Sequence, residues 1–338
     1  MNWENLLIPL TPLYSAAVRA RAAAYRGGLL KTRRLEVPVV SVGNLTFGGT
    51  GKTPTVVALA RDLVQRGLKP AVLTRGYGRT VAEPVVVVGP DPDLAVTMTG
   101  DEPLEMASRL PGMPIVVDAD RVRGGRLAMA AGSNILLLDD GFQHLRLARD
   151  LDLVLVDAGD PWGGGQMPPR GRLREPLRAL ARASAVVVTK VAPTGDPALS
   201  EIRDRITELA GDIPVLTARM AANRVWTADG WQTPHVLEGL RVVAFAGLGR
   251  PDGFSRLLHE AGAEIVAHRW FPDHHNYTLD ELGQVVAEAH RLGAVAMTTG
   301  KDAVKMPRQA EVWVVEAEMV PAGGDWDPLW RLLPGGCV

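Results

Sequence analysis

Short apolar, β-branched runs recur along the chain, and stretches with helical spacing separate them. They begin at Val37-Pro38-Val39-Val40-Ser41-Val42 and continue with Ala71–Thr74, Val85–Val88, Ile115–Val117, Ile135–Leu138, Leu153–Val156, Ala185–Val188 and Pro214–Leu216. Strands that are hydrophobic throughout, rather than at alternate positions, are buried on both faces. The pattern therefore predicts a mostly parallel sheet covered by helices. It breaks at Val225-Trp226-Thr227-Ala228-Asp229-Gly230-Trp231-Gln232, which reads as two short strands around an Asp-Gly turn. Beyond the hairpin, Val242–Ala246, Glu264–Ala267, Ala294–Met297 and Val312–Val315 alternate with helical stretches near 253–261 and 279–292. The predicted fold is α/β, with a sheet domain over residues 1–220 and a hairpin linker over 221–235. A second, smaller α/β domain then occupies 236–338.

The first 36 residues have their own character. Thr11-Pro12 predicts a helix start, with proline at the first helical position. Leu13, Tyr14, Ala17, Val18, Arg21 and Tyr25 follow at helical spacing, and Trp3, Leu6, Leu7 and Leu10 precede them. Arg19, Arg21, Arg26, Lys31, Arg33 and Arg34 run without an acid until Glu36. Such a segment, about residues 1–30, either lies in the headgroup region of an anionic membrane or packs on the protein's own core.

Composition narrows the picture. The 338 residues carry 37 Lys+Arg against 38 Asp+Glu, so no basic field points to nucleic acid. A single cysteine, Cys337, excludes an internal disulfide framework and a Cys-based zinc site. No stretch approaches the roughly 20 continuous apolar residues of a membrane span, and the N-terminus lacks the basic start of a secretory signal. The expectation is a cytosolic protein, or one attached to a membrane from its cytosolic side.

Thr46-Phe47-Gly48-Gly49-Thr50-Gly51-Lys52-Thr53 carries the most chemistry. It joins the first strand to a helical pattern over Pro54–Leu63, the setting of a P-loop. Glycines let backbone N–H groups curl around phosphate oxygens. Lys52 can then reach the β/γ-phosphates, and the Thr53 hydroxyl can ligate Mg²⁺. Thr46 stands where the general pattern opens with glycine. This loop predicts binding of a nucleoside triphosphate. Thr189-Lys190-Val191-Ala192 lacks the Asp that reads guanine in many GTP-binding relatives of this loop, which favours ATP.

Other candidates sit at predicted strand ends. Asp139 and Asp140 close an apolar strand; one could hold Mg²⁺ while its neighbour does something else, or both could simply begin a polar loop. Gln143 and His144 could donate hydrogen bonds beside the phosphates or satisfy a turn. Asp101 could cap a helix or serve or orient a general base. Arg75 and Arg121 offer guanidinium groups for bidentate phosphate binding. His274, within Phe271-Pro272-Asp273-His274-His275-Asn276-Tyr277, could be an acid/base.

In their order along the chain, these motifs resemble the tetraacyldisaccharide 4′-kinases of lipid A biosynthesis. The resemblance runs from Pro38–Pro54 through Thr74–Arg79, Gly100–Pro103, Asp139–His144 with Arg149-Asp150, and Leu173–Pro176. It continues to Phe271–His274 and Lys301-Asp302-Ala303-Val304-Lys305. Thr46 is itself a feature of that family. Local departures are Arg170-Gly171-Arg172 before Leu173 and Gly300 before Lys301.

The resemblance implies an ATP- and Mg²⁺-dependent kinase that phosphorylates the 4′-hydroxyl of an acylated disaccharide 1-phosphate lipid. It implies a peripheral location on the cytosolic face of a bacterial inner membrane. It makes Asp101 and His274 a dyad that removes the hydroxyl proton, completed when the two domains approach each other. Thr53 with Asp139 or Asp140 would hold Mg²⁺, and Arg75, Arg121, Gln143 and His144 would contact phosphate or acceptor.

Overall fold

The fold was obtained as a computed structural model that describes residues 11–89, 96–192, 198–249, 251–273, 275–303, 306 and 311–336. It divides into two compact units, Met1–Arg219 with Pro321–Val338, and Met220–Val320.

The first described element of the first unit is helix α1 (Thr11–Arg26). Its inward side carries Thr11, Ser15, Val18, Ala22 and Tyr25, whereas Tyr14, Ala17 and Arg21 face solvent. Thr11 donates to the Pro168 carbonyl at 3.0 Å, and Arg21 donates to the Gln143 carbonyl at 3.1 Å. Strand β1 (Val39–Asn44) is buried along its whole length and leads into helix α2 (Lys52–Gln65). Strands β2 (Pro70–Thr74), β3 (Val85–Val88), β4 (Pro114–Val117), β5 (Ile135–Asp139), β6 (Leu151–Asp157), β7 (Ala185–Thr189) and the start of β8 (Val215–Thr227) follow. Their order is β8-β7-β6-β1-β5-β2-β4-β3. All of these pairings are parallel except β3 on β4, an antiparallel edge.

The sheet is apolar on both faces because both are covered. Leu73, Val116, Leu136 and Leu138 contribute to one core cluster; Val154, Val156, Val186 and Val188 join Phe142, Ile202 and Ile206 in another. Helix α2 buries Val56, Val57, Leu59 and Leu63 completely. Each such side chain contributes about 1.5–3 kcal/mol, so the helix behind the loop of residues 45–51 is firmly seated. Strand β1 lies between β5 and β6; the chain leaves it toward β2 on the β5 side, and the later connection from β5 to β6 crosses to its other side. That reversal opens a crevice at the carboxyl ends of the strands, where ligands bind in open α/β sheets. Helix α3 (Asp101–Arg109) and helix α4 (Arg121–Ala130) also begin at these strand ends.

Residues 321–338 return to the first unit. Trp330 is buried there and donates from Nε1 to Asp62 of α2 at 2.6 Å, while Arg66 pairs with both Asp62 and Asp327. The sequence pattern had placed this segment with the smaller domain; the buried indole ties it to α2 instead. The hairpin at 221–235, read as a linker, clusters with the second unit.

In the second unit the end of β8 pairs with β9 (Gly230–Gln232) as a hairpin, Trp226 opposite Trp231 and Thr227 opposite Gly230, so Ala228-Asp229 rather than Asp229-Gly230 forms the turn. Strands β10 (Arg241–Gly247), β11 (Glu264–Phe271), β12 (Val295–Thr299) and β13 (Trp313–Pro321) run in the order β11-β10-β12-β13-β8. Helices α5 (Leu199–Ala210) of the first unit and α6 (Asp252–Glu260) and α7 (Leu279–Arg291) of the second complete the longer elements. Helix α7 starts with a full capping box between Thr278 and Glu281.

Candidate active site

The loop between β1 and α2 is built for close approach of an anion. Gly51 stands before α2 with φ of 85°, a left-handed conformation that glycine adopts without strain. Asn44, the last residue of β1, donates from its amide to the Thr46 carbonyl at 2.8 Å and the Thr50 hydroxyl at 3.0 Å, bracing the loop from within. The Lys52 ammonium donates to Asn44 Oδ1 at 3.4 Å and lies 3.7 Å from Asp140. Thr53 follows in the first turn of α2, whose amides point into the loop.

Two further elements hold the loop from outside. Phe47 N–H donates to the Arg172 carbonyl at 2.6 Å, and Arg174 N–H donates to the Leu45 carbonyl at 2.7 Å. Thr189, at the end of β7, donates through its hydroxyl to the Thr50 carbonyl at 2.9 Å. Lys190 donates to the Gly49 carbonyl and to Asp157, both at 2.6 Å. The Arg174 guanidinium lies over the Phe47 ring and binds both oxygens of Asp140 at 2.7 Å.

Asp139 and Asp140 have different environments. Asp139 ends β5, is buried, and accepts a hydrogen bond from the Thr74 hydroxyl at 3.1 Å. Burial, and then the charges of Glu102 and Asp140, push its carboxyl up to about 7. Asp140 has a φ of 53° and turns toward the cations. Burial alone would raise its pKa, but Lys52 and Arg174 outweigh burial and hold the carboxyl below its ordinary range. Glu102 is an exposed residue, yet its carboxyl is raised, first by desolvation among the surrounding protein atoms and then by Asp101.

The remaining candidates fall around this centre. Arg121 is buried, donates to the Asp118 carbonyl at 2.7 Å, and has its pKa lowered to about 10, chiefly by burial. Arg75 is exposed just beyond β2. Gln143 donates to the Asn44 carbonyl at 3.0 Å, so its amide braces β1. His144 is held down to about 4 by burial and by Arg121, Arg149 and Arg21, leaving it neutral near pH 7. Asp101 opens α3 after Gly100, and Glu102 N–H donates to its Oδ1 at 3.2 Å. Gly100 has φ of 89°, and a Cβ there would meet the Tyr77 carbonyl at 2.7 Å, so this turn packs directly on the loop carrying Arg75. His274 lies outside the described residues, as do Val304 and Lys305.

Four contributors escaped the sequence reading as site residues: Asn44, Glu102, Arg174 and Lys190. Glu102 and Arg174 were visible only inside motifs, and the Thr-Lys pair at 189–190 drew notice only for the acid that does not follow it. The chain between 3 and 333 matches the sequence profile of the tetraacyldisaccharide-1-P 4′-kinases. The chain belongs to this family. A tetraacyldisaccharide 4′-kinase from Anaeromyxobacter sp. (strain Fw109-5) is 42% identical over 310 residues, which cover 89% of this chain and 83% of the relative. One from Geobacter metallireducens is 41% identical over 307 residues, covering 89% and 88%. The crystal structure of LpxK from Aquifex aeolicus in complex with ATP superposes with a TM-score of 0.77 at 30% identity, covering 98% of this chain and 99% of that one. The protein is thus a kinase.

The site also fits a divalent cation that arrives with a nucleotide. Asp140 lies 3.7 Å from the Lys52 ammonium, and beside it burial, then the Glu102 and Asp140 charges, keep Asp139 protonated up to about 7. Among the described residues, no group of three His, Cys, Asp or Glu side chains converges to hold an ion unaided. Mg²⁺ characteristically takes one or two carboxylates and completes its shell with phosphate oxygens and water.

Proposed function

We propose that this kinase transfers the γ-phosphoryl group of ATP to the 4′-hydroxyl of a tetraacyldisaccharide 1-phosphate, the acceptor of lipid A biosynthesis. The observation that carries the reading is the braced loop of residues 46–53, with Lys52 set against the Asp139–Asp140 pair, in a chain of this family. In this reading the loop amides and the start of α2 hold the β- and γ-phosphates, and Lys52 neutralises charge as it develops. Thr53 and one of Asp139 and Asp140 would hold Mg²⁺, which would supply charge neutralisation at the phosphates.

Asp101 and His274 take the acceptor's proton. The hydroxyl oxygen bonds to the γ-phosphorus as the bond to the β–γ bridging oxygen breaks, and ADP leaves with that electron pair. The hydroxyl proton passes to the imidazole, whose positive charge the carboxylate steadies. Arg75 and Arg121 contact phosphate or acceptor, and Gln143 and His144 line the same region. The protein acts at the cytosolic face of the inner membrane, where an acylated acceptor stays in its bilayer and the first 30 residues meet it. No helix among the described residues is long and apolar enough to cross a membrane, which fits peripheral attachment.

The dyad is tested by Asp101→Ala, His274→Ala and the double variant, assayed for turnover with saturating ATP and detergent-solubilised acceptor. Each single change should reduce kcat by about two orders of magnitude or more, and the double variant should be little worse than either single one. Turnover like that of the parent enzyme in either single variant, or fully multiplicative losses, would remove the pair from the mechanism.

A further inference from the structure

Away from the phosphate loop, the first unit has a groove of about 520 Å³ lined by Arg33, Arg123, Arg126 and Arg146, with Asp120 and Leu127. Four guanidinium groups therefore face one carboxylate. Two of the four are engaged: Arg123 binds Asp118 at 2.6 and 2.9 Å, and Arg146 pairs with Asp120 at 3.1 Å. The side chains of Arg33 and Arg126 are exposed and make no hydrogen bond or ion pair among the described residues. Asp120 caps α4 by accepting from the Val122 and Arg123 amides, so the groove's attraction for anions comes from side chains rather than from the helix end.

The surroundings say what kind of anion suits it. Leu127, on the groove wall, is 38% exposed. The stretch between α1 and Arg33 leaves Leu29 84% exposed and Leu30 43% exposed. Arg33 N–H donates to the Arg146 carbonyl at 2.7 Å, which fixes the stretch after α1 to the groove. Exposed leucines offer nothing to a soluble anion. Beside unpaired arginines they match a bilayer surface, where apolar side chains enter the acyl boundary and guanidinium groups stay at the phosphates.

We propose that this groove docks the headgroups of anionic phospholipids and so adds a charge-selective membrane contact through Arg33 and Arg126. The site goes beyond the phosphoryl-transfer reading and does not depend on it. It differs from attachment by the segment of about residues 1–30 in drawing on Arg126 of α4, outside that basic run.

The test is sedimentation of the full chain with vesicles of phosphatidylcholine alone, and of phosphatidylcholine mixed with phosphatidylglycerol. Each arginine near an anionic surface strengthens partitioning about fivefold, so Arg33→Gln with Arg126→Gln should weaken binding to the mixed vesicles about 25-fold. Each single variant should fall between, and Arg126→Lys should retain binding. Partitioning onto neutral vesicles, thermal unfolding and turnover on detergent-solubilised acceptor should not change. Parent-like binding of the double variant to mixed vesicles would overturn the proposal. So would displacement of the parent protein by inorganic phosphate with no effect from sodium chloride of equal ionic strength, which would make the groove a site for soluble anions. Loss of acceptor phosphorylation would count against the kinase reading alone, because the vesicle measurement does not use it.

Discussion

At Asp139 burial, Glu102 and Asp140 all act in one direction, keeping the carboxyl protonated up to about pH 7. In the unfolded chain the same group ionises near pH 4. The folded state therefore holds a proton that the unfolded state has released, and stability falls as pH rises from about 4 through 7. Asp139→Asn removes this titration. Without nucleotide, the variant and parent should have similar stability near pH 4. Above pH 7 the variant should be more stable by a few kcal/mol, on the order of 2–4. Urea unfolding across this range measures the difference, and a gap that stays constant with pH would contradict it. The sequence showed two acids at a strand end with different directions. It could not show which would be buried, since that depends on Thr74 from β2 and Glu102 from α3 arriving beside β5.

At the scale of elements, the phosphate loop owes its shape to neighbours distant in sequence. Thr189 and Lys190 reach it from the end of β7, and Arg172 and Arg174 reach it from the segment before Leu177. Lys190→Ala removes the donor to the Gly49 carbonyl and leaves Asp157 without this cation. The loop should then bind ATP more weakly, raising KM for ATP about tenfold with a smaller change in kcat. An unchanged KM would mean the loop keeps its shape without that support. The central strands were legible because burial on both faces makes them continuously apolar. Strand β8 was not: Thr217 to Arg224 mixes polar, basic and small residues with no alternation, and only its ends looked like strands. Bracing of one loop by several strand ends has no periodicity, so Lys190 carried no signal of its role.

Across the whole chain, the α/β alternation and the ordered motifs made the fold class and the family readable from the residues. The return of the C-terminal segment was not readable, because one indole on Asp62 settles it and no pattern near Trp330 announces its partner. Phosphoryl transfer from ATP to the acylated disaccharide should depend on the loop that carries Lys52. It is tested most directly with γ-labelled ATP, Mg²⁺ and detergent-solubilised tetraacyldisaccharide 1-phosphate, comparing the natural chain with Lys52→Ala. The natural chain should place label in the lipid at the 4′ position, and the variant should lose about two orders of magnitude or more in rate. Folded, ATP-binding protein that leaves the lipid unlabelled, or equal labelling by Lys52→Ala, would contradict it.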